Sequence, residues 1–323
     1  MPKRTKSTKS PKVVQGELGI ALGREWMQRH AVVPQAPPLF HYTGAAAIRG
    51  ILQSGRLWAS GAQYMNDWME VVYGYDIIMN GLRELVEKNK VVSRARAVFQ
   101  DVLRLMESPE SPFIDAYFVA FCEKGNLLSQ WRAYAGTQGF AIEFDPLVID
   151  RELTLTTHAP ARNLRLAKIE YDPRQQAKNF RELIEELCAT IEGTRSGGDS
   201  VSPELVEFTR MVLSAWAATV KHPGFEEEQE WRVIFQPLIT AEEKYLSTSE
   251  FVVRLEGLEF VTHVEFMPDA KVLGKRGHLL PIKSIVCGPN VTMRTTNRAL
   301  EILLRNNGYE GVEIKRSEIP ARS

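Results

Sequence analysis

The positions of apolar residues predict a chain in which short strands alternate irregularly with helices. Residues 45–53 and 66–89 carry apolar side chains every three or four positions, which is the spacing of a buried helical stripe. Residues 113–121 and 139–144 are short apolar and aromatic runs, which are typical of strands inside a sheet. The irregular order of the two types argues for an α+β fold and against a doubly wound parallel sheet.

The same reasoning extends over the rest of the chain. Further strands are predicted at 39–43, 57–59, 164–171, 228–235, 251–255, 282–287 and 312–315, and further helices at 18–30, 91–106, 127–135, 175–191, 203–220 and 292–306. Gly55 is expected to end the helix over 45–53, because glycine readily adopts the left-handed conformation that closes a helix.

Basic and proline-rich stretches set the expected borders of the folded unit. The first thirteen residues hold five basic side chains and no acidic one, a composition that predicts a disordered tail. The expected organisation is a tail over 1–13, a short helix and proline-rich linker over 14–38, a single α+β domain over 39–316 with helical insertions near 66–107 and 175–220, and a C-terminal tail over 317–323.

Composition and missing motifs narrow the function further. Forty basic and forty acidic residues give a net charge of zero, which removes the electrostatic argument for a dedicated duplex-DNA binder. The three cysteines lie far apart with no CxxC spacing, which is typical of a reducing cytoplasm and excludes a cysteine zinc site. The sequence lacks GxGxxG, P-loop and HExxH motifs, and it has no run of 18 apolar residues. We therefore expect a cytoplasmic protein with no membrane span and no metal.

Residues His41, Tyr42 and Thr43 form the first candidate site, at the end of a predicted strand. A histidine there can form a hydrogen bond with a ribose hydroxyl, and the neighbouring aromatic ring can stack on a flat ligand. The alternative is a strand histidine with its hydrogen bonds satisfied, beside a tyrosine of the core.

A second candidate is an unusually dense group of polar and aromatic side chains on the short predicted helix over 127–135. Its members are Ser129, Gln130, Trp131, Arg132 and Tyr134. Such a group between two apolar strands is typical of a ligand site. The alternative is that Trp131 and Tyr134 are a core pair at helical spacing, with Arg132 pointing to solvent.

The third candidate is the acidic segment 226–235. In a strand, Glu228, Glu230 and Arg232 would share one face, while Trp231 and its alternating apolar neighbours would face the core. The three charged groups form either a simple charge ladder or a carboxylate held beside a developing cation, as transfer at an anomeric carbon requires. A separate Asn66-Asp67 pair, followed by Glu70, is best explained as a helix cap.

Several segments together resemble a bacterial family known as domain of unknown function 2971. They are HYTGAAAIRGILQSGRLWAS, MNDWME, FVAFCEKGNLLSQWRAYAGTQGFAIEFD, EEEQEWRVIF and IKSIVCGPNVT, in this order over most of residues 39–316. The opening FHYT, followed by a helix that ends in ILQSG, also resembles ADP-ribosyltransferases of the type that modify nucleic acids.

The second resemblance implies a split α+β sheet, with mixed or antiparallel strands, and NAD as the substrate without any metal. His41 would bind a ribose of NAD with help from Thr43, and Tyr134 with Ser129 would occupy the nicotinamide-stacking place. Glu230, or otherwise Glu228, would be the catalytic carboxylate. The remaining proposed NAD-binding residues are Tyr42, Trp131 and Arg132.

These observations lead to one main hypothesis and two alternatives. The main one is an NAD-consuming ADP-ribosyltransferase-like enzyme, such as an effector of a phage-defence or toxin system. Its acceptor is left open among proteins, nucleic acids and small molecules. The first alternative is a non-catalytic module on the same scaffold that binds a nucleotide or a partner protein. The second is a hydrolase or nuclease that uses the clustered acids with Mg²⁺.

Overall fold

The computed structural model describes a defined part of the chain: residues 36–64, 68–88, 90–91, 93–108, 116–136, 138–147, 149, 153–155, 164–194, 201–235, 252–256, 259–268 and 279–320. The predicted tail over 1–13, the helix over 18–30, most of the linker over 14–38 and the Asn66-Asp67 cap lie outside these residues.

Within the described residues, eleven strands form one sheet. They are Leu39–Thr43 (β1), Leu57–Gly61 (β2), Tyr117–Cys122 (β3), Phe140–Phe144 (β4), Leu153–Leu155 (β5), Leu164–Lys168 (β6), Glu230–Phe235 (β7), Val252–Glu256 (β8), Glu259–Pro268 (β9), Ile282–Cys287 (β10) and Glu313–Arg316 (β11). The main order is β11-β10-β4-β1-β3-β2-β9-β5, and β7 joins β3 to β6 while β8 pairs with β9. The β10–β11 pair is parallel and the other pairs are antiparallel, so the sheet is open and mixed.

The sheet divides beside β3. One edge of β3 pairs with β7 along its whole length, from Tyr117 to Cys122. The other edge is shared by two strands, because Phe40 of β1 lies opposite Cys122 while Ser60 of β2 lies opposite Phe118. An opening therefore separates β1 from β2 in the plane of the sheet.

Six helices of ten or more residues pack on this sheet within the described part of the chain: Ala45–Ser54 (α1), Trp68–Glu87 (α2), Ser93–Glu107 (α3), Pro173–Gly193 (α4), Pro203–Ala217 (α5) and Met293–Asn306 (α6). Gly55 ends α1 as the sequence predicts, with φ of 64° and its N–H donating to the carbonyl of Ile51. The predicted helix over 127–135 is different in kind: a single turn, Leu128–Gln130, leads into a π-helix, Trp131–Ala135.

Alternating side chains of the central strands build a separate core on each face of the sheet. On the first face, Val119, Ile142 and Val233 pack with Leu52 of α1 and Leu300 of α6. The mixed helix and strand architecture, with apolar material on both sides, confirms that the chain combines α and β elements around a mixed sheet.

The second face carries two distinct coverings. Helices α2 to α5, which lie in the two predicted insertions, pack together over Phe118 of β3 and Ile234 of β7. The π-helix covers the neighbouring region, where Trp131 contacts Tyr42 of β1 and Val286 of β10. This arrangement leaves the middle of β3 between a helical layer and the π-helix.

Candidate functional site

His41 lies at the opening between β1 and β2. Its Nδ1 donates a hydrogen bond of 3.0 Å to the carbonyl oxygen of Ala120 on β3, and its ring contacts Phe121 with 5.9 Å between centroids. Burial lowers the pKa of His41, and the hydrogen bond to Ala120 only partly opposes this effect. The imidazole is therefore neutral at pH 7, with its proton on Nδ1 and an acceptor lone pair on Nε2.

Tyr42 and Trp131 lie inside the core on the second face. The Tyr42 hydroxyl donates to the carbonyl of Lys124 at 2.7 Å and accepts from the N–H of Leu127 at 2.9 Å. The two rings form an edge-to-face contact with 4.7 Å between centroids. Burial raises the pKa of Tyr42. These two predicted NAD-binding residues therefore lie in the core beneath the loop after β3 and the π-helix, and they hold both segments in place.

The π-helix presents the other predicted residues differently. Arg132 and Tyr134 are exposed, the latter by 39%, so Trp131 and Tyr134 do not form the core pair that helical spacing allowed. Ser129 is partly buried, and among the described residues its Oγ has no hydrogen-bond partner. Thr43, at the end of β1, is buried. A π-helix is rare and often occurs at functional sites, because it displaces side chains from regular helical positions.

Glu230 begins β7, and its buried carboxylate is bound by two cationic side chains. Arg232 donates two hydrogen bonds to its carboxylate, from Nε at 2.6 Å and from Nη2 at 2.9 Å. The ammonium of Lys221 adds a third contact at 3.1 Å. Burial alone would raise the pKa of Glu230, but the charges and hydrogen bonds of Arg232 and Lys221 outweigh it and lower the pKa.

Glu228 is not part of the strand, contrary to the prediction that β7 starts there. It ends a 3-10 helix, Pro223–Glu228, and the next residue, Gln229, has φ of 45° and breaks the alternation. Its carboxylate nevertheless meets the same ammonium, 2.5 Å from Lys221 Nζ, and its side chain is 16% exposed. Burial, together with the repulsion of Glu230, raises the pKa of Glu228, although the charge and hydrogen bond of Lys221 oppose this rise.

Sequence reasoning missed Lys221, because no motif connects it to the acidic segment. Its side chain is 1% exposed, and its ammonium lies 4.7 Å from the centre of the Phe225 ring. Its backbone is fixed as well: the N–H donates to the carbonyl of Glu170, and the carbonyl accepts from Gln176 Nε2 at 2.9 Å. The only signal in the sequence was a lysine within ten residues of the two glutamates.

Lys221, Glu228, Glu230 and Arg232 together form a charged network, which lies in a part of the chain that matches a family model. Residues 130–233 match the family described as Protein of unknown function (DUF2971). The matched residues include the π-helix, Lys221, both glutamates and Arg232, whereas His41, Tyr42, Thr43 and Ser129 lie outside them. No curated protein and no solved structure gives a match to the chain.

Strand β7, which lies within the matched residues, pairs with the whole of β3. Cys122 lies opposite Glu230 and Ala120 lies opposite Arg232. Ala120 is partly exposed, although Phe118 and Cys122 on the same face are buried. Ala120 is therefore the least covered of these three residues of β3 on the second face.

The structure brings some predicted residues together and separates others. Glu228 and Glu230 converge on one ammonium, and the π-helix with Arg132 and Tyr134 covers the same face of the sheet as Glu230. His41 lies on the first face with Leu39 and Phe121, and so on the opposite face from Glu230. Its hydrogen bond to the carbonyl of Ala120 connects it to β3.

The chemistry of this arrangement follows from its charges. Two carboxylates and two cations balance, and the least buried of the four is Glu228, which can accept a hydrogen bond from a hydroxyl group or exchange a proton. Across the described ranges, no cluster of three or more His, Cys, Asp or Glu residues could hold a metal ion. None of the helices described is long and apolar enough to cross a membrane.

Proposed function

We propose that the chain is an NAD-consuming ADP-ribosyltransferase-like enzyme that works at the border of β3 and β7. The observation that carries this proposal is the strand order. The three segments of the resemblance, with His41 on β1, the β3 to π-helix element and the glutamates at β7, belong to adjacent strands of the sheet. The opening beside β3 also agrees with a split sheet.

The carboxylates supply the electrostatic part of the reaction. The bond between the anomeric carbon and the nicotinamide nitrogen breaks, and nicotinamide leaves with the electron pair. A carboxylate that accepts a hydrogen bond from the ribose 2′-hydroxyl stabilises the positive charge that develops on the sugar. The acceptor then bonds to the anomeric carbon and loses its proton to water. The four charged groups of the network are fixed before substrate arrives, so this stabilisation requires little reorganisation.

The remaining predicted residues have roles in holding NAD. The exposed ring of Tyr134 offers a surface for the flat nicotinamide, with Ser129 on the preceding turn. Arg132 is exposed on the same helix and suits a phosphate oxygen. His41 projects to the opposite face from Glu230, so it would reach a ribose hydroxyl through the opening between β1 and β2, and the buried Thr43 would support it there. Tyr42 and Trp131 support these residues by ordering the π-helix.

The deciding experiment measures nicotinamide release from NAD by the purified chain, with protein, nucleic-acid and small-molecule acceptors. Glu228→Gln and Glu230→Gln are compared with Glu227→Gln, an exposed residue of the same turn. We expect release by the wild type, retention in the Glu227 variant and a loss of at least tenfold in one of the other two. Equal rates in all four folded proteins, or no release with any acceptor, would contradict the proposal.

A second candidate is a non-catalytic module that binds a nucleotide or a partner protein. It is favoured by Glu230, because Arg232 and Lys221 already occupy both of its carboxylate oxygens. This candidate predicts that NAD or another nucleotide raises the melting temperature without any nicotinamide release. Turnover that depends on Glu228 or Glu230 would exclude it.

A further inference from the structure

Lys221 is as deeply enclosed as Arg232, since both side chains are 1% exposed, and two carboxylates and an aromatic ring surround its ammonium. A buried lysine is costly unless carboxylates and hydrogen bonds replace the water it has lost. Here the ammonium lies 2.5 Å from Glu228 and 3.1 Å from Glu230, and the Phe225 ring lies 4.7 Å away. Both carboxylates therefore contact this one nitrogen.

The two carboxylates are held in unequal ways. Glu230 is 7% exposed and is bound by Arg232 through both oxygens as well as by Lys221. Glu228 is 16% exposed, and its contact with the network is made through one oxygen to Lys221. Glu230 consequently serves as an anchor with no oxygen left unoccupied, whereas Glu228 is at the outer border.

The lysine itself is immobilised from the helical layer. Gln176 on α4 donates from Nε2 to the carbonyls of Lys221 and Glu170, and it accepts a hydrogen bond from the Tyr73 hydroxyl on α2 through Oε1 at 2.8 Å. The N–H of Lys221 donates to the carbonyl of Glu170. Its backbone position is therefore fixed independently of the two glutamates.

We propose that Lys221 is a positioning residue that fixes the carboxylate of Glu228 at the exposed border of the network, where it meets the substrate hydroxyl, while Glu230 anchors Lys221. The inference rests on the proposed function and adds to it a choice between the two glutamates. It assigns contact with the ribose to Glu228 and a supporting role to Glu230.

The charged and titratable groups that face Glu228 define what removal of Lys221 would do. They are Lys221, Glu230, Arg232, Cys122 and Tyr171. Without the ammonium, Glu228 keeps its burial and the repulsion of Glu230 but loses its nearest cation. Its carboxylate then holds a proton to a higher pH, and it is no longer fixed in place.

The test follows Glu228 directly and does not depend on turnover. The full chain is labelled with ¹³C at glutamate Cδ, the Glu228 signal is assigned with Glu228→Gln, and its titration is recorded in wild type, Lys221→Met and Lys221→Arg. We expect the pKa of Glu228 to rise by about one unit or more in Lys221→Met and to remain near the wild-type value in Lys221→Arg. In parallel, nicotinamide release should fall mainly through kcat in Lys221→Met, with its acidic limb moved to higher pH.

The outcomes separate this inference from the proposed function. A raised pKa in Lys221→Met, in a protein that releases no nicotinamide even as wild type, supports the positioning role and contradicts the proposed function. An unchanged titration of Glu228 in folded Lys221→Met overturns the inference, and so does a larger loss of kcat in Glu230→Gln than in Glu228→Gln. If Lys221→Met does not fold, Gln176→Leu, which frees the lysine backbone, must produce a smaller shift in the same direction for the inference to stand.

Discussion

Arg232 and Glu230 lie two residues apart on β7 and bind each other through two hydrogen bonds on the face that the helices cover. The guanidinium also lies 4.3 Å from the centre of the Phe118 ring and donates to the carbonyl of Ala218 at 3.1 Å. A strand residue and its second neighbour project to the same side, so this pair forms without any bend in the backbone. The ion pair thus joins the sheet to the end of α5.

Removal of Arg232 should destabilise the fold strongly. Arg232→Met leaves Glu230 buried with only Lys221 beside it, and breaking a buried pair in this way costs about 3–5 kcal/mol. Urea denaturation measures this loss in the free energy of unfolding, and the slope of that free energy against urea concentration should be the same in wild type and variant. Arg83→Met removes the exposed pair between Arg83 and Glu107 and serves as the control, with no change expected. Equal stabilities of the two variants would show that the β7 pair is solvated.

Two glycines of the helices should respond to alanine in opposite directions. A Cβ on Gly74 of α2 would lie 2.5 Å from the carbonyl oxygen of Ala217, so Gly74→Ala must push α2 away from α5 and should cost about 1–3 kcal/mol. Gly50 of α1 has no heavy atom within 4 Å of such a Cβ. Gly50→Ala should therefore stabilise the chain by about 0.5–1 kcal/mol. Thermal unfolding measures both variants against wild type. A melting temperature that is unchanged or raised in Gly74→Ala, or lowered in Gly50→Ala, would contradict this prediction.

Much of the sheet could be predicted from the sequence, because its strands are short apolar runs with clear ends. β1 and β10 have the predicted bounds, and β4 and β7 differ by one and two residues. β9 was missed because its ten residues mix charged and apolar side chains without strict alternation over the whole length. The way the strands pair could not be predicted, since the division beside β3 depends on contacts between residues far apart in the chain.

His263 should lower the stability of the protein in a pH-dependent way. It is 1% exposed, it stacks on Trp58 at 4.3 Å, and among the described residues neither ring nitrogen has a hydrogen-bond partner. Burial, followed by the charge of Arg254, lowers its pKa. As the pH falls through about 6.5, His263 therefore binds a proton in the unfolded chain but not in the folded chain. The free energy of unfolding decreases over the same pH range.

His263→Phe keeps a ring against Trp58 and removes both unpaired nitrogens. We expect an increase of about 1 kcal/mol in the free energy of unfolding near pH 7.5, and a larger increase near pH 5. Chemical denaturation at the two pH values measures the difference. His41 has a lowered pKa as well and remains in the variant, so some acid sensitivity should persist. A gain that is the same at both pH values would mean that His263 does not titrate.

Asn126 should control the order of the π-helix. Its Oδ1 accepts hydrogen bonds from Trp131 Nε1 at 3.0 Å and from Ser317 Oγ at 2.6 Å. Asn126→Ala leaves the buried indole N–H without a partner, which costs about 1–3 kcal/mol. Hydrogen exchange of residues 128–135 should become faster than in wild type. Ser317→Ala removes only the second bond and should have the smaller effect, and the reverse order would contradict this role of Asn126.

The candidate site was less accessible to prediction than the fold. The acidic segment and the Arg132–Tyr134 group were recognised because several reactive side chains occur close together in the sequence. Lys221 escaped notice because its importance arises from burial, which a single lysine near a helix end does not reveal. The alternation argument placed Glu228 and Glu230 on one strand face, and the positive φ of Gln229 breaks that alternation. Their convergence instead requires a lysine from the preceding connection.

The division beside β3 also determines how easily the sheet could admit a guest molecule. In the plane of the sheet, β1 is joined to β3 by one residue pair and β2 is joined to β3 by two. Three pairs therefore hold β1 and β2 against this edge of β3. The opposite edge is closed by six pairs with β7. A molecule that enters between β1 and β2 would therefore have to separate few backbone pairs, while the pairing of β3 with β7 keeps its register.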